Sequence, residues 1–222
     1  MQKEKIVVKV AKVGLLGDQT VGKTSICQTY AGKDFNESNL LTIGFDKYES
    51  KFKVEDGKII KLIIWDTAGQ ERFHSLALNT IKAVNGIVLV ADLTKKSSFE
   101  NIKVWVKDIQ ENFDNPSLVL FGNKADFPKD KWEVTTEEAK KYAEDNKLVY
   151  FETSAKTKQG IFEGFSYIAN QTYKRAKQKM NQNIVLGIDA PNKPESGCCL
   201  SKKKEDKKNS NEKEKENKNE NK

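Results

Sequence analysis

Eight consecutive residues, Gly17-Asp18-Gln19-Thr20-Val21-Gly22-Lys23-Thr24, constrain this chain more than any other feature. The pattern GxxxxGK[ST] follows an apolar, strand-like run (Ile6 to Leu16) and opens a helix-like one (Gly22 to Ala31). In that setting it reads as a phosphate-binding loop. Glycines let the backbone curl until successive N–H groups aim at one point. The N-terminus of the following helix adds the positive end of its dipole. The Lys23 ammonium would reach the outer phosphates of a nucleoside triphosphate, and the Thr24 hydroxyl would coordinate Mg²⁺. Ser25 belongs to the same turn. By itself the loop selects no base.

The surrounding pattern predicts an α/β fold. Gly44 to Val54 and Lys58 to Trp65 are strand-like and flank Asp56-Gly57, a strong hairpin signal. Gly86 to Ala91 and Leu118 to Gly122 are short continuous apolar runs, as buried parallel strands require. Ile102, Val106, Ile109 and Phe113 recur at helical spacing between them. Thr135 and Glu138 form a capping box ahead of Ala139 and Tyr142. Leu148 to Phe151 is a last strand, and Ile161, Phe165 and Ile168 put one apolar face on a final helix. The expectation is a mostly parallel six-stranded sheet with one antiparallel edge strand and helices on both faces.

Apolar spacing stops near Met180. Residues 1–180 are expected to form one folded domain and residues 181–222 a disordered Lys/Asn/Glu-rich tail carrying Cys198-Cys199. From Ser201 to Lys222 there are nine Lys and six acidic residues, so +3 of the formal net charge of +7 sits there. The remainder is too dilute to point to nucleic acid. Three Cys, two of them adjacent, make no disulfide framework, and the natural surroundings are cytosolic and reducing. No apolar run approaches a membrane span. The single His, His74, argues against His-based metal sites and Ser-His-Asp catalysis. Cys27 reads as a small core residue.

Three further motifs fall where predicted parallel strands end, which is where ligands collect in such sheets. Asp66, in Trp65-Asp66-Thr67-Ala68-Gly69-Gln70-Glu71, can hold Mg²⁺ through water, and Gly69 can offer its N–H to a terminal phosphate. Gln70 can orient a water for in-line attack, its carbonyl accepting and its amide donating. In Asn123-Lys124-Ala125-Asp126, the Asp126 carboxylate can accept both the N1–H and the exocyclic amine of guanine. Against adenine it would be desolvated and unpaired. Asn123 would tie loops together, and the Lys124 stem would cover one face of the base. In Thr153-Ser154-Ala155-Lys156, the Ala155 N–H would meet the guanine O6. A P-loop ATPase or nucleotide kinase, and a scaffold that binds GTP without hydrolysing it, are the competing classes.

Over residues 5 to 180 the chain resembles the Ras superfamily of small GTPases, and within it the Rab type. All five guanine-nucleotide boxes occur in order. The Rab likeness rests on Thr42-Ile43-Gly44-Phe45-Asp46, on Lys61 to Asp66 running into Glu71-Arg72-Phe73, and on Leu89-Val90-Ala91-Asp92-Leu93-Thr94. The resemblance implies a P-loop small G domain that binds GTP and GDP with Mg²⁺ and hydrolyses GTP slowly. Thr42 would ligate Mg²⁺ and touch the γ-phosphate, and Phe35 would pack against guanine. Lys23, Thr42, Gly69 and Gln70 would carry catalysis, while Arg72 would contact partners. Two switches, near Asn36 to Phe45 and Ala68 to Thr80, would be read by an exchange factor, a GTPase-activating protein and effectors. The protein would act as a monomer without nucleic acid, in the cytoplasm, peripheral to the cytosolic face of an endomembrane, and regulate vesicle traffic. A Ras-like signalling GTPase is the alternative.

The sequence departs from the Rab pattern in places. Lys47 stands where Rabs usually carry Phe, Thr80-Ile81-Lys82-Ala83-Val84 replaces Tyr-Tyr-Arg-Gly-Ala, and Ala91 replaces a common Tyr. Rabs typically finish in a lipidated Cys pair; here 23 residues follow Cys199. Lipidation of Cys198 and Cys199, aided by Lys202 to Lys204, is the expectation for attachment to a membrane surface.

Overall fold

The computed structural model describes residues 10–36, 42, 44–69 and 74–185. Six strands form one sheet: β1 (Val10–Leu16), β2 (Phe45–Lys53), β3 (Ile59–Thr67), β4 (Gly86–Asp92), β5 (Ser117–Asn123) and β6 (Val149–Glu152). The order is β2-β3-β1-β4-β5-β6. Edge strand β2 runs antiparallel to β3, and every other pairing is parallel. This is the sheet expected from the strand and helix alternation.

The helices are α1 (Lys23–Tyr30), α2 (His74–Thr80), α3 (Lys96–Glu100), α4 (Ile102–Asn112), α5 (Thr136–Asp145) and α6 (Ile161–Val185). Periodicity decides which face each buries. On α4, Ile102, Trp105, Val106 and Ile109 are buried, the i, i+3, i+4, i+7 stripe of an amphipathic helix. They join Leu16, Ile81, Leu89 and Leu120 in one core. On α6, Ile161, Phe165, Ile168 and Ala169 join Leu15, Ile26, Cys27, Val90 and Phe121 in the other, on the opposite side of the sheet. Two cores demand strands that are apolar on both faces, and all of β4 is buried.

Several local expectations are refined. Phe113 ends α4 in an extended conformation, so the helical spacing overran by one residue. Asp56-Gly57 does close the β2–β3 hairpin, but Gly57 alone has positive φ (81°) and its N–H donates to the Val54 carbonyl. That is a three-residue loop with glycine in the left-handed region; a two-residue type I′ turn would need Asp56 there too. Half of the capping box forms: Thr135 accepts from the Glu138 N–H at 3.1 Å, while the Glu138 carboxylate pairs with Lys96. α6 continues to Val185, past the boundary at 180. Propagating an existing helix needs no new nucleus, so its end does not track the apolar spacing. The tail, with Cys198 and Cys199, lies outside the described residues.

Candidate functional site

The parallel strands deliver their C-terminal ends to one edge of the sheet, and the loops that follow enclose a cavity of about 500 Å³. β1 leads into the phosphate loop. Gly17 takes φ +145°, and a Cβ there would lie 2.2 Å from the Val90 carbonyl oxygen of β4. Gly22 takes φ +100°, and a Cβ would lie 2.4 Å from Asn123 Nδ2. Both positions need glycine for space as well as for conformation. Thr20 adopts φ +64° without being glycine, so the loop holds strain that its surroundings must offset.

Lys23 starts α1 and is 5% exposed. Its Nζ donates to the carbonyl oxygens of Gly17 (2.8 Å) and Asp18 (2.7 Å), curling back over the loop. Burial lowers its pKa to about 8, against the opposing pull of the Asp66 and Asp18 carboxylates. The Thr24 hydroxyl donates to Asp66 Oδ2 at 2.6 Å and lies 2.6 Å from the Thr42 hydroxyl. Burial raises Asp66 to about 6, with the Thr24 hydroxyl pulling the other way. Asp66 Oδ1 is buried and has no hydrogen-bond partner among the described residues. Three oxygen-bearing side chains thus converge, one with an unsatisfied carboxylate oxygen. This is the chemistry a hard divalent cation takes.

At the other end, Asp126 lines the cavity and accepts a 2.6 Å hydrogen bond from the Ser154 hydroxyl. Ser154 in turn accepts from the Thr157 N–H at 3.1 Å, which fixes the hydroxyl rotor. Asn123 is buried and donates to the Val21 carbonyl at 2.7 Å, joining the phosphate loop to β5. Lys124, Ala155, Lys156 and Phe35 complete the wall.

Of the residues expected at the site, Gln19, Thr20, Gly22, Lys23, Thr24, Ser25, Phe35, Thr42, Gly69, Asn123, Lys124, Asp126, Ala155 and Lys156 line the cavity. Others stand behind the wall. Val21 points into the core. Gly17 contributes its carbonyl to Lys23. The Asp18 carboxylate turns outward, accepting from Asn101 Nδ2 (2.7 Å) and Trp105 Nε1 (3.3 Å) of the α3–α4 region. Ser154 acts on Asp126. Gln70 and Arg72 lie outside the described residues. Asn36, Thr67 and Phe127 line the cavity without having been expected. Their adjacency to Phe35, Asp66 and Asp126 is the signal that would have found them.

The family of this architecture is decided by comparison. The Ras family model matches residues 12–174. The chain belongs to the Ras family. Curated relatives that match it carry Rab names. It is 38% identical over 185 residues to the human Ras-related protein Rab-8B, covering 81% of this chain and 86% of that one. Against Ras-related protein Rab-1A of Dictyostelium discoideum it is 36% identical over 199 residues, covering 85% and 96%. Against Ras-related protein RAB1BV of Beta vulgaris it is 40% identical over 206 residues, covering 86% and 93%. It is a Rab-type small GTPase, a GTP-binding and GTP-hydrolysing switch of membrane trafficking. Proteins of this type bind GTP and GDP and meet exchange factors, GTPase-activating proteins and effectors.

The departures from the Rab pattern now have positions. Lys47 pairs with Glu49 at 2.5 Å and sits 6.0 Å from the Trp65 ring centroid. Phe45, 51% exposed, takes the aromatic contact with Trp65 at 5.3 Å between centroids. Ile81 and Val84 are core residues packed against the sheet, and Ala91 is a buried residue of β4 in the same core.

Proposed function

We propose that the cavity is the guanine-nucleotide site, with phosphates at Lys23 and the base between Lys124, Asp126 and Ala155. The observation that carries this reading is the convergence, in one cavity, of a buried ammonium at the mouth of a curled loop and a carboxylate locked by Ser154. Lys23 releases its hold on the Gly17 and Asp18 carbonyls as phosphate oxygens replace them. Asp126 accepts from guanine N1–H and the exocyclic amine, which is a pairing no adenine supplies.

Thr24, Thr42 and Asp66 would hold Mg²⁺, and their oxygens, one of them without a partner among the described residues, fit it. When bound, the ion neutralises charge on the phosphate oxygens. Gly69 presents its N–H to the terminal phosphate, and a Cβ there would lie 2.3 Å from Lys23 Nζ. Gln70 orients the attacking water. Arg72 contacts partners and not the phosphates, so turnover is slow until a GTPase-activating protein contributes an arginine. Thr42 and Gly69 are where a terminal phosphate would be sensed, and its loss would free both switches for partners to read.

No described helix is long and apolar enough to cross a membrane. Attachment to the cytosolic face of an endomembrane would come from lipids on Cys198 and Cys199 together with Lys202 to Lys204. Mass spectrometry of the protein from its native cells tests this, and an unmodified pair refutes it. The nucleotide reading is tested by Gln70→Leu. Single-turnover phosphate release should slow by about tenfold or more while GTP still binds; unchanged turnover refutes the role of Gln70.

A further inference from the structure

Asp92 ends β4 and is fully buried, yet no motif of the sequence assigns it a task. One oxygen is fully engaged: Oδ1 accepts the Thr94 N–H at 2.9 Å and the Thr94 hydroxyl at 2.7 Å. The backbone beneath is pinned as well, the Asp92 N–H donating to Ser98 Oγ at 2.9 Å. Among the described residues Oδ2 accepts no hydrogen bond of ordinary geometry, and Lys124 Nζ lies 2.5 Å from it. A buried carboxylate without a counter-charge is costly, so this ammonium is its compensation.

Lys124 is held at both ends. Its backbone has φ +67°, a conformation few L residues adopt, and its neighbour Asn123 sits opposite Asp92 in the β4–β5 ladder. Its side chain is 28% exposed and lines the cavity beside Asp126 and Phe127. A lysine loses rotamer freedom when one pose is imposed. The ion pair imposes that pose before any ligand arrives. The butyl stem is left stretched along the cavity wall, where the base is proposed to lie.

We infer that Asp92 is a positioning residue for nucleotide retention: it anchors the Lys124 ammonium so that the stem stands ready against the purine. This rests on the proposed placement of guanine between Lys124 and Asp126. The effect belongs to the base end of the cleft, so GDP and GTP, which share the base, should feel it equally.

The test measures release of fluorescent mant-GDP and mant-GTP from the full chain with magnesium present. Asp92→Asn should speed release of both by the same factor, about tenfold. Lys124→Met should do likewise, and the double variant should release no faster than the faster single variant, because both remove one device. Tyr173→Phe removes a hydrogen bond to Asp56 at the β2–β3 hairpin, away from the cleft, and should release at the wild-type rate. Additive effects, a factor that differs between GDP and GTP, or an equal effect of Tyr173→Phe would show a general loosening and overturn the inference. So would wild-type release from Asp92→Asn while Lys124→Met is fast, a result that leaves the nucleotide site standing. Failure of the wild-type chain to bind mant-GDP would instead overturn the site itself. Should Asp92→Asn not fold, ¹⁵N-lysine NMR of the wild type decides. A slowly exchanging ammonium resonance, lost in Lys124→Met, supports the anchor; its absence at neutral pH overturns it.

Discussion

The two ends of the cleft are built from different materials. The phosphate end is mostly backbone: a loop forced into shape by Gly17 and Gly22, closed by one buried lysine that folds back on two carbonyls. The base end is side chains, more open to solvent (Phe127 is 46% exposed), two of them held by partners distant in sequence: Ser154, just past β6, bonds Asp126, and Asp92 at the end of β4 pairs with Lys124. Backbone amides recognise any phosphate and cannot be exchanged by mutation. Side chains discriminate between bases and can be changed one at a time. On the proposed nucleotide placement, affinity would be concentrated at the first end and specificity at the second.

Lys23→Ala is the strongest challenge to that division. Removing a buried ammonium that faces phosphates should weaken GDP and GTP by on the order of 10³, measured by titration calorimetry. A loss under tenfold would move the affinity to the base end. Asp126→Asn should weaken GDP by about a hundredfold and restore affinity for xanthosine diphosphate, whose oxygen replaces the amine. Equal weakening of both nucleotides would show that Asp126 holds structure and does not read the base. A pH series separates the ends further. Lys23 in the free site titrates near 8, and bound phosphate favours its charged form. Binding should take up a proton above that pH. As far as Lys23 is concerned, affinity is level just below pH 8 and falls as pH rises through it, by up to about tenfold per unit. Calorimetry in buffers of different ionisation enthalpy reads the uptake, and none is expected from the base end. The smallest effect is at Thr20. Thr20→Gly relieves the left-handed strain and should raise thermal stability by about 1 kcal/mol, with base selectivity unchanged.

The sheet was legible because its signals are local. Apolar runs of the right length gave β4 and β5, and spacing gave the buried faces of α4 and α6. The short helices α2 and α3 were not legible, since five to seven residues carry too little periodicity to stand out. The phosphate loop announced itself because its residues are consecutive and its physics is that of one turn. The base end was legible only in outline. Asp126 and Lys124 could be named from Asn123-Lys124-Ala125-Asp126, but what holds each in place could not.

The primary sequence by itself determined the strand and helix alternation, the curled loop after β1 and the placing of Asp126 just after β5, because each depends on neighbours in the chain. Tertiary structure alone decided that Asp92 meets Lys124, that Asp18 turns away to Asn101 and Trp105, and that Thr24 meets Asp66. An acidic residue shows the same letter whether it faces water, a cation or an indole. Which it faces is set by burial and by partners tens of residues away, and these exist only once the sheet has brought its strand ends together.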